Sequence, residues 1–221
     1  MSLGSQIPYL PWRAIIEDLL DFRPDWTEAE RIRGIIDYLE KYHPGLLPRW
    51  VLFADLLGLK VDSTMKVPAY ERDRQLHAVE SVVIDLIYEI AAQQPISLLI
   101  EDTHWLDEIS ENLIIALIKE MNLKPAAVML IMVHRPPGDI SHPPRILDVL
   151  RAQRRQTHFD LKEINEEAVS QVIEERLGAK SPPELTRFIY EKTRGNTFFV
   201  QESHERLTIL TVYHQYLYLQ F

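Results

Sequence analysis

The chain has 221 residues, 33 Asp+Glu against 24 Lys+Arg, a net charge of -9, and no cysteine. That length suits one large domain, or one and a half. The acidic balance argues against a nucleic-acid surface, and the missing thiols exclude disulfides and cysteine metal sites. No apolar run approaches the roughly 20 residues of a membrane span, and the N-terminus MSLGSQIPYLPWR has no apolar core for export. A cytoplasmic location is expected, with no membrane or nucleic-acid partner.

Residues 1 to 12 read as extended, because Pro8 and Pro11 disfavour a helix there. From Pro11, Trp12, Ile15, Ile16, Leu19 and Leu20 recur at helical spacing. Thr27 followed by Glu30 forms a capping box for a second helix, whose apolar face is Ile32, Ile35, Ile36 and Leu39. Pro44-Gly45 ends it, and a short helix covers about 49 to 57. Residues 69 to 93 make the clearest helix, with Leu76, Val79, Val82, Val83, Leu86, Ile87 and Ile90 on one face.

Ile96 to Ile100 is too short and too continuously apolar for an amphipathic helix, so it predicts a strand buried on both faces in a parallel sheet. Asp107 to Glu120 is helical, with Asp107 its N-cap. "AVMLIMVH", 127 to 134, is a second buried strand, and the alternating "THFDLKEI", 157 to 164, is a candidate third. Helices over 166 to 177 and 183 to 194 follow. The order of elements predicts an α/β fold with a helical appendage.

Two carboxylates, Glu101 and Asp102, terminate the first strand in "SLLIEDTHWLDEIS", 97 to 110. The second strand ends in His134-Arg135. In open α/β sheets ligands bind at the carboxyl ends of the strands. Two acids and an arginine at that rim suit Mg²⁺ and phosphate, the acids holding the metal or its water and the arginine meeting phosphate charge. The alternative is a strand end with solvated acids. His104 and Trp105 read as packing groups at the strand-to-helix corner. The remaining histidines lack zinc-ligand spacing. Arg151, Arg154 and Arg155 read as a solvated helix face.

The longer string resembles the Walker B segment of bacterial STAND-type ATPases, within the AAA+ group of P-loop NTPases. Glu101, Asp102, His104, Trp105, Asp107 and Ser110 fall on that pattern. Three further segments resemble the family in the right order: "IPYLPW" at 7 to 12, "VMLIMVHRPP" at 128 to 137, similar to the sensor strand, and "EKTRGNTFFVQE" at 191 to 202, similar to the lid motif. The resemblance spans roughly residues 6 to 202. It implies a partial AAA+-like parallel sheet flanked by helices over 1–164 and a helical lid over 165–202. The atypical, β-prone and aromatic tail over 203–221 departs from the family and reads as non-native, with a genuine terminal strand or amphipathic anchor as the alternative. It implies Mg²⁺ binding and water activation at Glu101 and Asp102, phosphate sensing at Arg135, and nucleotide contact at Asn196 and Thr197. The cofactors implied for a complete module are ATP and Mg²⁺. Thr197 stands where the family has proline, and the first acid is Glu rather than the commoner Asp.

No Gly-x-x-x-x-Gly-Lys-Ser/Thr run occurs in the chain. The resemblance implies that the P-loop and its strand would precede residue 7, so the expectation is a fragment, unstable alone, inactive as an ATPase, and exposing an apolar sheet edge. Three functional readings remain open at this point. One is a fragment of an ATP-hydrolysing signal-transduction module. Another is a non-catalytic interaction domain of the same fold that docks a protein partner or another copy. The third is a metal hydrolase built on Glu101, Asp102 and His104.

Overall fold

The computed structural model describes residues 8–61, 72–136, 145–153 and 155–202. The chain divides into two units, 1–156 and 157–221. In the first, the order is α1 (Leu10–Leu19), α2 (Glu28–Tyr42), α3 (Trp50–Leu57), α4 (Arg72–Ala91), β1 (Ile96–Ile100), α5 (Glu108–Leu123), β2 (Val128–Met132) and α6 (Ile146–Arg151). The second contains α7 (Glu166–Leu177) and α8 (Pro183–Thr193). Both strands, helices α1 to α5, α7 and α8, and their order match the sequence expectation; α1 begins at Leu10, inside the stretch expected to be extended, and α6 was not foreseen. The expected tail, 203–221, lies outside the described residues.

Local chemistry explains the helix ends. Proline in the first turn of α1 sets φ where no N–H partner is needed. The capping box before α2 forms: Glu30 N–H donates to Thr27 Oγ1 at 3.3 Å, and Thr27 N–H donates to the Glu30 carboxylate at 2.7 Å. The hydrogen bonds from Thr27 hold the Glu30 carboxyl below its ordinary range. α3 is apolar nearly all round, with Leu52, Phe53, Ala54, Leu56 and Leu57 buried, so it lies inside the helical layer. It stops at Gly58, in the left-handed conformation at φ 71. On α4, Val79, Val82, Val83, Leu86, Ile87 and Ile90 form the buried stripe that the 3–4 spacing predicts.

The sheet has two parallel strands, in register from Ile96↔Val128 to Ile100↔Met132. Parallel neighbours cannot be joined by a hairpin, and α5 makes the crossover. Side chains alternate across the sheet. Leu98 and Ile100 are buried in the core, and Ile96, Val128, Leu130 and Met132 pack against it. The opposite face departs from expectation. Leu99 is 54% exposed and Met129 55%, with Ile131 and Val133 exposed beside them. The strands are therefore buried on one face, not two. The apolar run satisfies the pattern of a doubly covered strand, but the helices α4 and α5 supply a layer to one side only.

Residues 157–164 form no strand. Phe159 and Leu161 are largely exposed, and the segment is tied at its end by Ile164 N–H donating to Gly195 C=O at 2.9 Å. Alternation and β-propensity do not make a strand without a neighbour to bond. The second unit has its own small core of Val169, Ile173, Ile189 and Val200. Asn165 caps α7, its side chain accepting from Ala168 N–H at 2.9 Å. No described helix is long and apolar enough to cross a membrane.

Tyr9 is a buried residue whose hydroxyl has no hydrogen-bond partner. Burial first, and then the negative charges of Glu80, Asp55 and Asp107, push its phenol well above the ordinary value of 10.0. A raised folded-state value stabilises the fold below pH 10 or so and is lost as pH climbs above it. Tyr9→Phe is therefore expected to leave stability at pH 7 unchanged or raised by up to about 1 kcal/mol, because an unsatisfied buried hydroxyl disappears. It should also make the alkaline loss of stability shallower. Tyr38 and Tyr88, raised chiefly by burial, retain part of that loss. Urea midpoints at pH 7 and pH 11 measure both effects.

Candidate functional site

The carboxyl end of the sheet is built by the chain leaving β1. Val133 N–H donates to Ile100 C=O at 2.9 Å, and Thr103 N–H and hydroxyl both donate to Val133 C=O, at 3.0 and 3.2 Å. The two strand ends thus stay laced beyond the last paired residues. Asp102 makes the turn between them in the left-handed region, φ 50 and ψ 39. Aspartate is among the few non-glycine residues that tolerate it. Its carboxylate is exposed, as are Glu101 and Arg135.

Because Ile100 pairs with Met132, Glu101 and Asp102 leave the sheet at the same edge as His134 and Arg135. The Arg135 guanidinium carbon lies 5.7 Å from the Trp105 ring centroid, a cation–π contact that keeps the arginine over the turn following the acids. Three of the expected site residues, Glu101, Asp102 and Arg135, are therefore gathered on one rim. Trp105 is half exposed and serves as the platform for Arg135.

Asp107 caps α5 as expected. Its carboxylate accepts from Ile109 N–H at 3.1 Å, Ser110 N–H at 2.9 Å and Ser110 Oγ at 2.5 Å. Asp107→Ala removes these acceptors from the first turn, and a loss of about 1–2 kcal/mol is expected, measured by chemical denaturation. Asp107→Ser, which keeps one acceptor, should recover most of it.

Asn196 and Thr197 belong to the second unit. The Asn196 side chain accepts from Phe198 N–H at 3.1 Å and Phe199 N–H at 3.4 Å, so it starts the helical turn 197–202. Its carbonyl is occupied by that cap. Thr197 is exposed at the first position of the turn.

Sequence reasoning missed two contacts near the rim. Trp12 reaches from α1 to donate its Nε1–H to Ser110 C=O at 3.2 Å, in the first turn of α5. Glu111 is buried and accepts from Ile146 N–H at 2.8 Å and Arg145 Nε at 3.2 Å, anchoring the start of α6. A signal existed for Glu111: it shares a face of α5 with Ile114 and Ile118, where a lone acid requires a partner. His104, read from the sequence as a packing group at this corner, indeed has its side chain buried. Its side chain is 4% exposed, and neither ring nitrogen has a hydrogen-bond partner. An unsatisfied buried polar group of this kind costs about 1–3 kcal/mol.

The arrangement presents two exposed carboxylates and a stacked guanidinium at the end of a parallel sheet. Carboxylates are ligands for a hard cation such as Mg²⁺, which keeps several waters and takes phosphate oxygens as further ligands. Glu101 and Asp102 are side chains that could ligate such an ion, and a guanidinium such as that of Arg135 could pair with phosphate. Among the described residues no group of three or more His, Asp or Glu is arranged to hold a metal by itself. That arrangement gives no support to the metal-hydrolase reading through His104, whose nitrogens are buried. Compared with protein-family models, curated proteins and solved structures, the chain matches none.

Proposed function

We propose that this chain is the acid-bearing and lid portion of an ATP-hydrolysing signal-transduction module of the STAND/AAA+ type, with a P-loop NTPase fold in its complete form. The observation that carries the reading is the strand register, which gathers Glu101, Asp102 and Arg135 on one carboxyl-end rim. In the complete module Glu101 and Asp102 hold Mg²⁺ and its water. Arg135 meets the phosphate, and Asn196 and Thr197 lie on the nucleotide side of the lid. A phosphate cradle of backbone N–H groups and a lysine is needed for tight nucleotide binding. The 221 residues contain no such run. The chain alone is therefore expected to show no ATP hydrolysis above background and to bind ATP·Mg²⁺ weakly, in the millimolar range, which corresponds to about −4 kcal/mol.

The test is Mn²⁺ electron paramagnetic resonance, with Mn²⁺ standing in for Mg²⁺ and ATP present, on the wild type and Asp102→Asn. Weak binding that falls in the variant supports the reading. Equal binding by both proteins removes Asp102 from the metal role. Micromolar ATP affinity would contradict the need for a separate phosphate cradle.

A second reading, a non-catalytic interaction domain, is favoured by one observation: the open apolar face of Leu99, Met129, Ile131 and Val133. Patches of this kind mark interaction or aggregation surfaces. It predicts concentration-dependent association in light scattering that Ile131→Lys suppresses.

A further inference from the structure

We infer that His104 is a positioning residue for Asp102, its Nε2–H donating to the Asp102 carboxylate and fixing which oxygen faces the bound cation. The inference rests on the proposed metal role of Asp102. Three observations carry it. The imidazole is buried to 4% exposure, and neither nitrogen is satisfied. Its Nε2 lies 3.9 Å from Asp102 Oδ1, and no other Asp or Glu among the described residues comes within 4.0 Å. The two partners differ in freedom: His104 is held by burial and by the Trp105 ring at 4.7 Å, whereas the Asp102 side chain is 63% exposed.

At 3.9 Å the pair is not yet hydrogen bonded. A movement of about 1 Å by the exposed carboxylate closes the gap to ordinary N–H···O length. The imidazole is the fixed template, and the carboxylate settles onto it. Donation from Nε2 to one carboxylate oxygen leaves the other oxygen free for the cation. Hydrogen-bond donors to ligating carboxylates act in this way, and removing one typically costs about 10–100-fold in metal affinity. Trp105 has two contacts in the same assembly, His104 on one side and the Arg135 guanidinium over its ring. The histidine that orients the acid and the arginine on the phosphate side therefore rest on the same indole.

The test uses the full chain labelled with ¹⁵N-histidine, at pH 8, with Mg²⁺ in the presence of ATP as the probe. The expected result is a His104 ring protonated at Nε2, whose N–H signal moves downfield and exchanges more slowly as Mg²⁺ is added. Asp102→Asn should abolish that response. In parallel, Mn²⁺ affinity should fall about 10-fold in His104→Leu, while His104→Gln, which places an amide N–H near the same point, stays within about 3-fold of wild type. A purely packing histidine predicts the reverse order, since leucine fills apolar space better than glutamine. A proton on Nδ1, or His104 signals identical in the wild type and Asp102→Asn, would overturn the proposal. Mn²⁺ binding indifferent to Asp102→Asn, alongside His104 signals that do respond to it, would remove the metal reading and leave the hydrogen bond standing.

Discussion

Trp12→Ala is expected to destabilise the first unit by about 3–5 kcal/mol, the range for truncating a buried large aromatic side chain. Trp12 is 0% exposed and is among the largest side chains in the core. It packs in the cluster that joins α1 with α3, α4 and α5. It also holds a polar contact, Nε1–H to Ser110 C=O at 3.2 Å, so the variant leaves a cavity and loses a buried hydrogen bond together. The expected loss is a fifth or more of the stability of an ordinary domain, which is about 5–15 kcal/mol. Urea denaturation followed by far-ultraviolet circular dichroism measures it. Trp12→Phe separates the two components. It keeps most of the apolar contact and loses the hydrogen bond, so its cost should be nearer 1–2 kcal/mol. Equal costs for the two variants would mean that the hydrogen bond, not the volume, carries the contribution.

The second large effect is expected in the other unit. Gly195→Ala drives a Cβ into the Ile164 carbonyl oxygen, and Gly195 has φ +79. The left-handed backbone alone costs an alanine about 1–2 kcal/mol, and the clash adds to it. The clashing atom is backbone and cannot swing away. Ile164 is bonded to Gly195 C=O through its N–H, and the next residue, Asn165, is the cap of α7. Relief therefore requires breaking the tie between the start of α7 and the end of α8. The core of this unit is small, Val169, Ile173, Ile189 and Val200, and offers little reserve. Hydrogen exchange should show residues 165–202 losing protection while α4 and α5 keep theirs. The neighbouring Arg194, at φ 51, gives a control of opposite sign. Arg194→Gly relieves strain and should leave protection unchanged or increased.

Periodicity decided much of this protein before any coordinate. The 3–4 spacing on α4 and the Thr27–Glu30 capping box are local patterns, and local hydrogen bonds and helical geometry suffice to realise them. The strand ending in Glu101-Asp102 was legible for a similar reason: a five-residue apolar run cannot make an amphipathic helix. Asp107 as a cap was legible because a cap bonds only to residues two and three positions on.

The expectations that failed were those that depend on a neighbour. "THFDLKEI" alternates like a strand, yet a strand exists only where another strand offers a ladder, and none does among the described residues. The apolar runs of β1 and β2 announce burial on both faces, but which faces are covered depends on where the helices pack. The sequence order likewise could not show that Trp12 would cross to Ser110, 98 positions away.

At the rim the division is the same. The sequence by itself determined that two acids end one buried strand and an arginine ends another. Only the tertiary structure decided that the strands are adjacent, parallel and in register, so that those charges share an edge. It also turned His104 inward with both nitrogens unpartnered and left Asp102 exposed beside it. Chain-local forces specify caps and periodic faces, whereas the pairing of strands and the orphaning of a buried ring are consequences of packing between segments distant in sequence.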